Sequence, residues 1–273
     1  MIILLKVIIT VTVVATLSIV AERISPRAAG ILSGYPLGSA ISLFFIGLER
    51  SAAFAGESAL YAAAGMTALL SFFFAYYHAS RRIRPGIVNI ALSSTAGAAA
   101  FLAVNTLLHG LNLGPIGCAA IGCGGIYGYG RIFHRIPDTR IVKPARLDLG
   151  GLVLRAGLAA GVILGVTGLA LVVPPSWAGL FTAFPATVFP LVLILHATYS
   201  AEQAHTVIKN LPTGLWALVL YALTVSYTYP RCGIYWGTLI GFGAATIYLL
   251  GFAVARSHTP ALKARMTHKA AAP

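Results

Sequence analysis

Long apolar runs recur along the whole chain, and they constrain its fold more than any other feature. Stretches of about eighteen or more apolar residues predict helices that cross a membrane. Only 9% of the 273 residues are charged, whereas soluble proteins carry about 25%. The runs are continuous and lack the period-two alternation of membrane β-barrels. The sequence therefore predicts an all-α integral membrane protein with about nine transmembrane helices.

The predicted spans are separated by short polar or basic segments. In chain order they cover residues 2–20, 29–48, 58–77, 87–108, 113–130, 152–173, 178–197, 211–227 and 233–255. Basic residues concentrate in alternate connections, in the loop 131–150 and in the tail 256–273. Because positive loops stay on the cytoplasmic side, this predicts an outside N-terminus and a cytoplasmic C-terminus in an inner (cytoplasmic) membrane. Lys6, Arg50 and Arg231 are then left on the outer side.

The net charge of +13 does not indicate nucleic-acid binding, because the basic residues sit in short clusters between apolar runs, as membrane anchors do. The expected partners are membrane lipids and a small molecule. Cys118, Cys123 and Cys232 lack CxxC spacing and nearby histidine pairs, so no metal site and no cofactor are predicted.

The two halves of the chain match when the sequence is shifted by 149 positions. Pro26 then meets Pro175, and Pro36 meets Pro185. Chance similarity explains shared leucines and alanines but not prolines in register, which have specific backbone roles. Since one span separates the copies, the second copy would enter the membrane from the opposite side. The sequence predicts inverted four-helix repeats at 1–108 and 150–255, joined by a linker helix and basic loop (109–149) and followed by the basic tail.

The segments around Pro36 and Pro185 are the best candidates for a substrate site. Proline within a span frees a carbonyl one turn earlier, and such a break is tolerated in lipid only where it is buried or lines a cavity. Kinks for packing alone, with hydroxyls bonded back to the backbone, are the alternative. The predicted substrate-binding residues are Ser33, Tyr35, Pro36, Ser39, Thr182, Phe184, Pro185 and Thr187.

Ionisable residues in or near the spans are few, and charges in a bilayer are often functional. Glu49 and Glu57 are predicted to couple protons at the outer side, and Glu202 with His205 at the inner side. His196 is the most interior of these candidates. The alternative for each is a solvated position at the membrane interface.

The fifth span carries small residues at steps of four, Gly110, Gly114, Cys118 and Gly122. Such spacing lets helices approach closely. It predicts an internal seam against the repeats, and a homodimer face is the alternative. We expect leucine at Gly122 to impair folding and alanine to be much milder.

With the repeat in view, the second half resembles the GlpM family of small four-span bacterial inner-membrane proteins. The resemblance implies a fused tandem version of that unit and a link to exopolysaccharide production, but no substrate. Its matching residues are Ala178 to Pro185, Gly214-Leu215-Trp216 and Tyr221, with Ala29 to Leu32, Tyr35-Pro36 and Gly47 to Arg50 in the first half.

Inverted repeats are a recurring plan of secondary transporters. We therefore expect a transporter or exporter of a small metabolite or lipid-linked precursor that works by alternating access. No catalytic motif is found, so an enzyme is not expected. Two alternatives remain: a non-transporting accessory protein of envelope or exopolysaccharide assembly, and a membrane-embedded lipid-modifying enzyme.

Overall fold

The computed structural model of the protein describes residues 2–23, 35–137 and 149–270. These ranges contain nine helical elements and no strand, which confirms the predicted all-α class. In chain order the helices are α1 (Ile2–Arg23), α2 (Leu37–Glu49), α3 (Ala52–Arg82), α4 (Ile87–Gly110), α5 (Pro115–Phe133), α6 (Leu149–Leu169), α7 (Pro175–Thr182), α8 (Val188–Thr198) and α9 (Ala201–Ala270).

Three of the described helices are long and apolar enough to cross a membrane: α3, α4 and the part Ala201–Val254 of α9. Shorter apolar helical stretches are Ile3–Val13, Leu37–Glu49, Ala156–Leu169 and Val188–Thr198. Large apolar side chains such as Ile116 and Trp236 are exposed, as a lipid-facing surface requires. These features agree with a membrane protein, while the count of nine spans and the orientation of the termini stay predictions.

Helix α9 is divided at Gly233, whose backbone has φ 77° and ψ 171°. The N-arm (201–232) and the C-arm (234–254) pack antiparallel on either side of this break. The Tyr229 hydroxyl lies 2.7 Å from Thr238 Oγ1 next to the turn, and the Tyr248 hydroxyl donates to the Thr213 carbonyl 3.2 Å away further along. The eighth and ninth predicted spans therefore form a helical hairpin.

Helix α3 runs through the core and contributes many of its largest buried side chains, including Phe72, Phe73 and Tyr76. The N-arm of α9 packs antiparallel to it. A Cβ placed on Gly56 would lie 3.0 Å from Pro230 Cδ near one end of the pair. Near the other end, Ser80 Oγ lies 2.8 Å from His205 Nε2.

The bundle has two ends, which we name after one residue at each. At the Glu49 end, Arg50 Nη1 donates to the Leu171 carbonyl at 3.1 Å, and Tyr61 donates to the Leu113 carbonyl at 3.3 Å. At the Ser80 end, the hairpin from α3 to α4 turns at Gly86, which has φ 139°. Asn89 Nδ2 donates to the Ser80 carbonyl at 2.9 Å across this turn.

Two of the predicted spans are not continuous helices. The span predicted at 178–197 is divided, because α7 ends at Thr182 and α8 begins at Val188. The span predicted at 29–48 becomes helical in the described residues only from Leu37, directly after Pro36. Pro185 lies in the first of these breaks and Pro36 directly precedes Leu37, where the prolines predict interruptions that window-averaged hydropathy does not show.

The small residues of α5 form an internal seam in part. A Cβ on Gly122 would collide with the Ala63 carbonyl oxygen of α3, and one on Gly125 with the Thr67 hydroxyl. Gly110 and Gly114 have open space around them. Because the collision at Gly122 involves backbone, alanine is also strained there, and the relative effects of alanine and leucine stay a prediction.

Candidate functional site

The break between α7 and α8 leaves a carbonyl without its helical donor. Pro185 has no N–H, and the next amide, that of Ala186, donates to the Phe184 carbonyl at 2.7 Å. In a continuous helix the Ala186 amide would donate to the Thr182 carbonyl. Here it does not, so the Thr182 carbonyl has no backbone donor. Ser39 Oγ of α2 donates to it at 2.7 Å in a buried position. A side chain of the first half thus satisfies the break of the second half.

The backbone around Pro36 repeats this pattern 149 positions earlier. In each break, the amide that follows the proline donates to the carbonyl of the residue before the proline and forms a tight turn. An amide further along the chain then donates to the proline carbonyl and forms the first hydrogen bond of the next helix. The tight turns are formed by Leu37 N–H donating to Tyr35 O (2.7 Å) and by Ala186 N–H donating to Phe184 O (2.7 Å). The first helical bonds are those from Ala40 N–H to Pro36 O (2.7 Å) and from Phe189 N–H to Pro185 O (2.8 Å).

The first turns of α2 and α8 meet in the middle of the molecule. A Cβ on Gly38 would lie 3.4 Å from Ala186 Cβ and 3.5 Å from Thr187 Cγ2. From this point α2 runs to Glu49, while α8 runs toward Tyr76 and the Ser80 end. A central cavity of about 20 Å³ remains between the two breaks, which is room for about one water molecule.

The structure brings most of the predicted substrate-binding residues to this central cavity. Its lining includes Tyr35, Ser39, Phe184, Pro185 and Thr187. Pro36 and Thr182 are buried beside it. Ser33 lies outside the described residues. The two prolines therefore face the protein interior, as a break in a membrane helix requires.

The hydroxyl and aromatic groups of this set have different partners. The Tyr35 hydroxyl lies 2.8 Å from Thr246 Oγ1 of the α9 C-arm. Thr182 Oγ1 bonds back to the Gly179 carbonyl at 2.7 Å, which is the packing arrangement named as the alternative for the hydroxyls. Phe184 has its ring centroid 5.2 Å from that of Phe101. The hydroxyls of Tyr35 and Ser39 therefore both connect the first half to the second half.

Glu49 forms a buried ion pair that the sequence did not predict. Its Oε2 lies 2.7 Å from Lys6 Nζ, which also donates to Thr167 Oγ1 at 2.8 Å. Lys6 is 4% exposed and Glu49 14% exposed. The lysine is buried between α1, α2 and α6, and its assignment to the outer side of the membrane stays a prediction. Its position within an apolar run was the available signal.

Of the remaining candidates for proton coupling, His196, Glu202 and His205 come together at the Ser80 end, whereas Glu57 lies apart from them. Glu57 is exposed on α3. His196 is buried and its Nδ1 lies 2.7 Å from the Tyr76 hydroxyl. Glu202 is exposed on the first turn of α9, near the buried His205.

A second and larger cavity lies at the Ser80 end. It measures about 640 Å³ and is enclosed by the end of α3, the start of α4, the end of α8 and the start of α9. The sequence did not predict this cavity, because it depends on how four helix ends converge. Its charged or strongly polar lining residues are Ser80, Arg81, Asn89, His196, Glu202 and His205.

An aromatic layer separates the two cavities. Leu69 of α3 borders the central cavity, and Ser80 of the same helix borders the one at the end. Phe72 lies between them, with its ring centroid 5.0 Å from that of Phe189. Tyr76 follows one turn later and holds His196. In the described part of the chain these aromatic rings lie between the central cavity and the cavity at the Ser80 end.

Within residues 2–23, 35–137 and 149–270, no group of three or more His, Cys, Asp and Glu side chains is arranged to hold a metal ion. No family model, curated protein or solved structure matches the chain. The function is therefore argued from the arrangement of the helices and the two cavities.

Proposed function

We propose that the protein is a secondary transporter of two inverted halves, with its substrate site at the central cavity between α2 and α8. The observation that carries the proposal is the opposite direction of helices that match at the 149-residue shift. The proposed substrates are a small metabolite or a lipid-linked precursor, because few charges line the centre. Inner-membrane residence, the relation to the GlpM family and a homodimer remain part of the proposal.

The directions of the helices support an inverted arrangement. Helix α3 and the N-arm of α9 match at the shift and run antiparallel. Helices α1 and α6 also match and run antiparallel, because Lys6 reaches Thr167 while Ile9 and Val13 pack in one cluster with Ile163. Inverted copies would give this pairing for every matching helix.

The turns of the two halves provide independent support. Gly86 and Gly233 are the two glycines with positive φ in the described part of the chain, and each lies in the turn that follows the long helix of its half. The sequences around them, Pro85-Gly86-Ile87 and Cys232-Gly233-Ile234, align after a short gap. Only glycine adopts these backbone angles readily. Matching hairpins are therefore built from matching sequence.

The central cavity has the chemistry that a transport site needs. Helices α2 and α8 both begin there, so two helix N-termini with partial positive charge point toward the same space. The Thr182 carbonyl and the Ser39 hydroxyl form a donor and acceptor pair that a polar substrate can replace. Opening requires one half to rock against the other, since the cavity now holds about one water molecule.

The conformation fits an occluded state with a vestibule on one side. At the Glu49 end, the Lys6–Thr167 and Arg50–Leu171 hydrogen bonds join the first half to α6 and the residues after it. At the Ser80 end, the large cavity opens outward and the aromatic layer of Phe72 and Phe189 closes the way to the centre.

Each alternative function has one supporting observation. The small central cavity is what a non-transporting accessory protein with a solid core would show. The polar side chains clustered at the Ser80 end are what a lipid-modifying enzyme would need.

Access from both sides distinguishes transport from these alternatives. In a chain with Cys118, Cys123 and Cys232 replaced by alanine, Thr187→Cys would be probed with a membrane-impermeant maleimide. The probe would be applied to right-side-out and to inside-out vesicles. Val192→Cys, one turn further along α8 in the buried core, is the matched control.

We expect labelling of Thr187→Cys in both preparations and of Val192→Cys in neither, because alternating access exposes the centre to each side in turn. Labelling of Thr187→Cys from one side only, or from neither, would contradict the transport proposal.

A further inference from the structure

The cavity at the Ser80 end has one positively charged wall. Arg81 lies at the end of α3 and is exposed to the cavity. Helix α4 begins beside it at Ile87, and its N-cap residue, Gly86, supplies no side-chain hydrogen bond to the first turn. Uncapped N–H groups at a helix start carry partial positive charge and attract anions. This wall therefore favours an anionic group.

Two buried histidines add hydrogen-bonding groups to the same space. His196 is 9% exposed, and its Nδ1 lies 2.7 Å from the Tyr76 hydroxyl. One tautomer of His196 accepts the phenol proton at Nδ1 and the other donates to the phenol oxygen, and in either case Nε2 takes the opposite role. His205 is 7% exposed and uses its Nε2 toward Ser80 Oγ at 2.8 Å. Each ring keeps its second nitrogen for a ligand or water in the cavity.

The start of α9 supplies the compensating negative charge to the cavity lining. Glu202, on the first turn of α9, is the acidic residue among the described residues that line the cavity, and Arg81 is the basic one. With neutral imidazoles the lining has no net charge. An anion alone would meet Glu202, and a cation alone would meet Arg81 and the start of α4. A ligand that carries both charges is complementary to both walls.

We propose that the Ser80-end cavity binds a small zwitterion, with its anionic group toward Arg81 and the start of α4 and its ammonium group toward Glu202. The volume of about 640 Å³ is within the range of small-molecule sites. Such a ligand is either a free zwitterionic solute or the headgroup of a zwitterionic phospholipid. The site lies apart from the central cavity, so this proposal does not depend on transport.

Calorimetric titration of the purified full-length chain, in a non-ionic maltoside detergent, tests the proposal. The probes are glycerophosphoethanolamine, glycerol 3-phosphate, ethanolamine and β-alanine. We expect at least one zwitterion to bind about tenfold more tightly than glycerol 3-phosphate or ethanolamine, the equivalent of one charge-assisted hydrogen bond. Binding of β-alanine assigns a free zwitterion, and binding of glycerophosphoethanolamine alone assigns a lipid headgroup.

Variants assign the two charges to the two walls. Arg81→Gln weakens binding of the zwitterion, and Glu202→Gln lets glycerol 3-phosphate bind as tightly as the zwitterion. Arg84→Gln is the matched control, because this exposed arginine is at the same end but does not line the cavity, and its binding stays unchanged. Elution volume and melting temperature without ligand establish that each variant is folded.

Two results with the wild-type chain alone would overturn the proposal, whatever happens to the variants. The first is equal affinity for glycerol 3-phosphate and the zwitterions. The second is the absence of binding by all four probes. The outcome of the transport test does not depend on whether the zwitterion binds, so each proposal can be refuted without the other.

Discussion

Replacing Glu49 by glutamine removes one charge from the buried pair with Lys6. The lysine would keep the Thr167 hydroxyl at 2.8 Å and an amide oxygen in place of the carboxylate. Lys6 is only 4% exposed, so water cannot solvate the ammonium that remains. The expected result is a large loss of stability without any change in the volume of the side chain.

The size of the loss follows from the burial of the two partners. Breaking a buried ion pair by removing one partner costs about 3–5 kcal/mol. The Glu49 side chain is 14% exposed, and glutamine can still accept a hydrogen bond. We therefore expect Glu49→Gln to lower the free energy of unfolding by about 2–3 kcal/mol. The double variant Lys6→Met with Glu49→Gln removes both charges. It regains most of the loss, because an uncharged replacement of a buried pair is often neutral.

The assay is reversible unfolding in mixed micelles, followed by far-ultraviolet circular dichroism, on the two single variants and the double variant. Glu57→Gln is the matched control, because this carboxylate is exposed on α3 and its loss costs less than about 0.5 kcal/mol. A Glu49→Gln variant as stable as the control would refute the reasoning. Additive losses in the double variant would refute it as well, since coupled partners are not additive.

Three further predictions use the same unfolding assay. Gly122→Ala lowers the free energy of unfolding by about 1–3 kcal/mol, because its Cβ meets the Ala63 carbonyl. The control Gly124→Ala lies in open space and loses no stability, and equal effects of the two substitutions would exclude a tight seam. Gly233→Ala loses about 1–3 kcal/mol from backbone strain at φ 77°, and an unchanged stability would exclude that conformation. Asn105→Leu is neutral or stabilising by about 1 kcal/mol, because both buried amide atoms lack a partner; a loss above about 2 kcal/mol would mean that the amide is bonded.

Local chemistry made part of the site predictable. Pro36 and Pro185 interrupt their helices because proline lacks an N–H, whatever surrounds it. Their positions in the repeat were enough to predict that Ser39 and Thr182 belong to one region. The bond between the Ser39 hydroxyl and the Thr182 carbonyl depends on how two distant segments pack, and no sequence pattern encodes it.

The features that the sequence did not predict depend on how helices that are distant in the chain pack together. Lys6, Glu49 and Thr167 come from α1, α2 and α6, and hydropathy treats each of them as a residue near the end of a span. The Ser80-end cavity combines four helix ends. The seam at Gly122 was predicted from its spacing, but its tolerance for alanine was not, because that depends on the distance to the Ala63 backbone.

The central claim is that the two halves are inverted, and the side of the membrane reached by their matching turns tests it most directly. Cys232 is exposed and precedes the Gly233 turn, while Arg84 precedes the Gly86 turn. With Cys118 and Cys123 replaced by alanine, one chain keeps Cys232 and another carries Arg84→Cys and Cys232→Ala. A membrane-impermeant maleimide is applied to intact and to permeabilised cells. Inverted halves predict labelling of Cys232 in intact cells and of Arg84→Cys only after permeabilisation, whereas labelling of both from the same side would contradict the inversion.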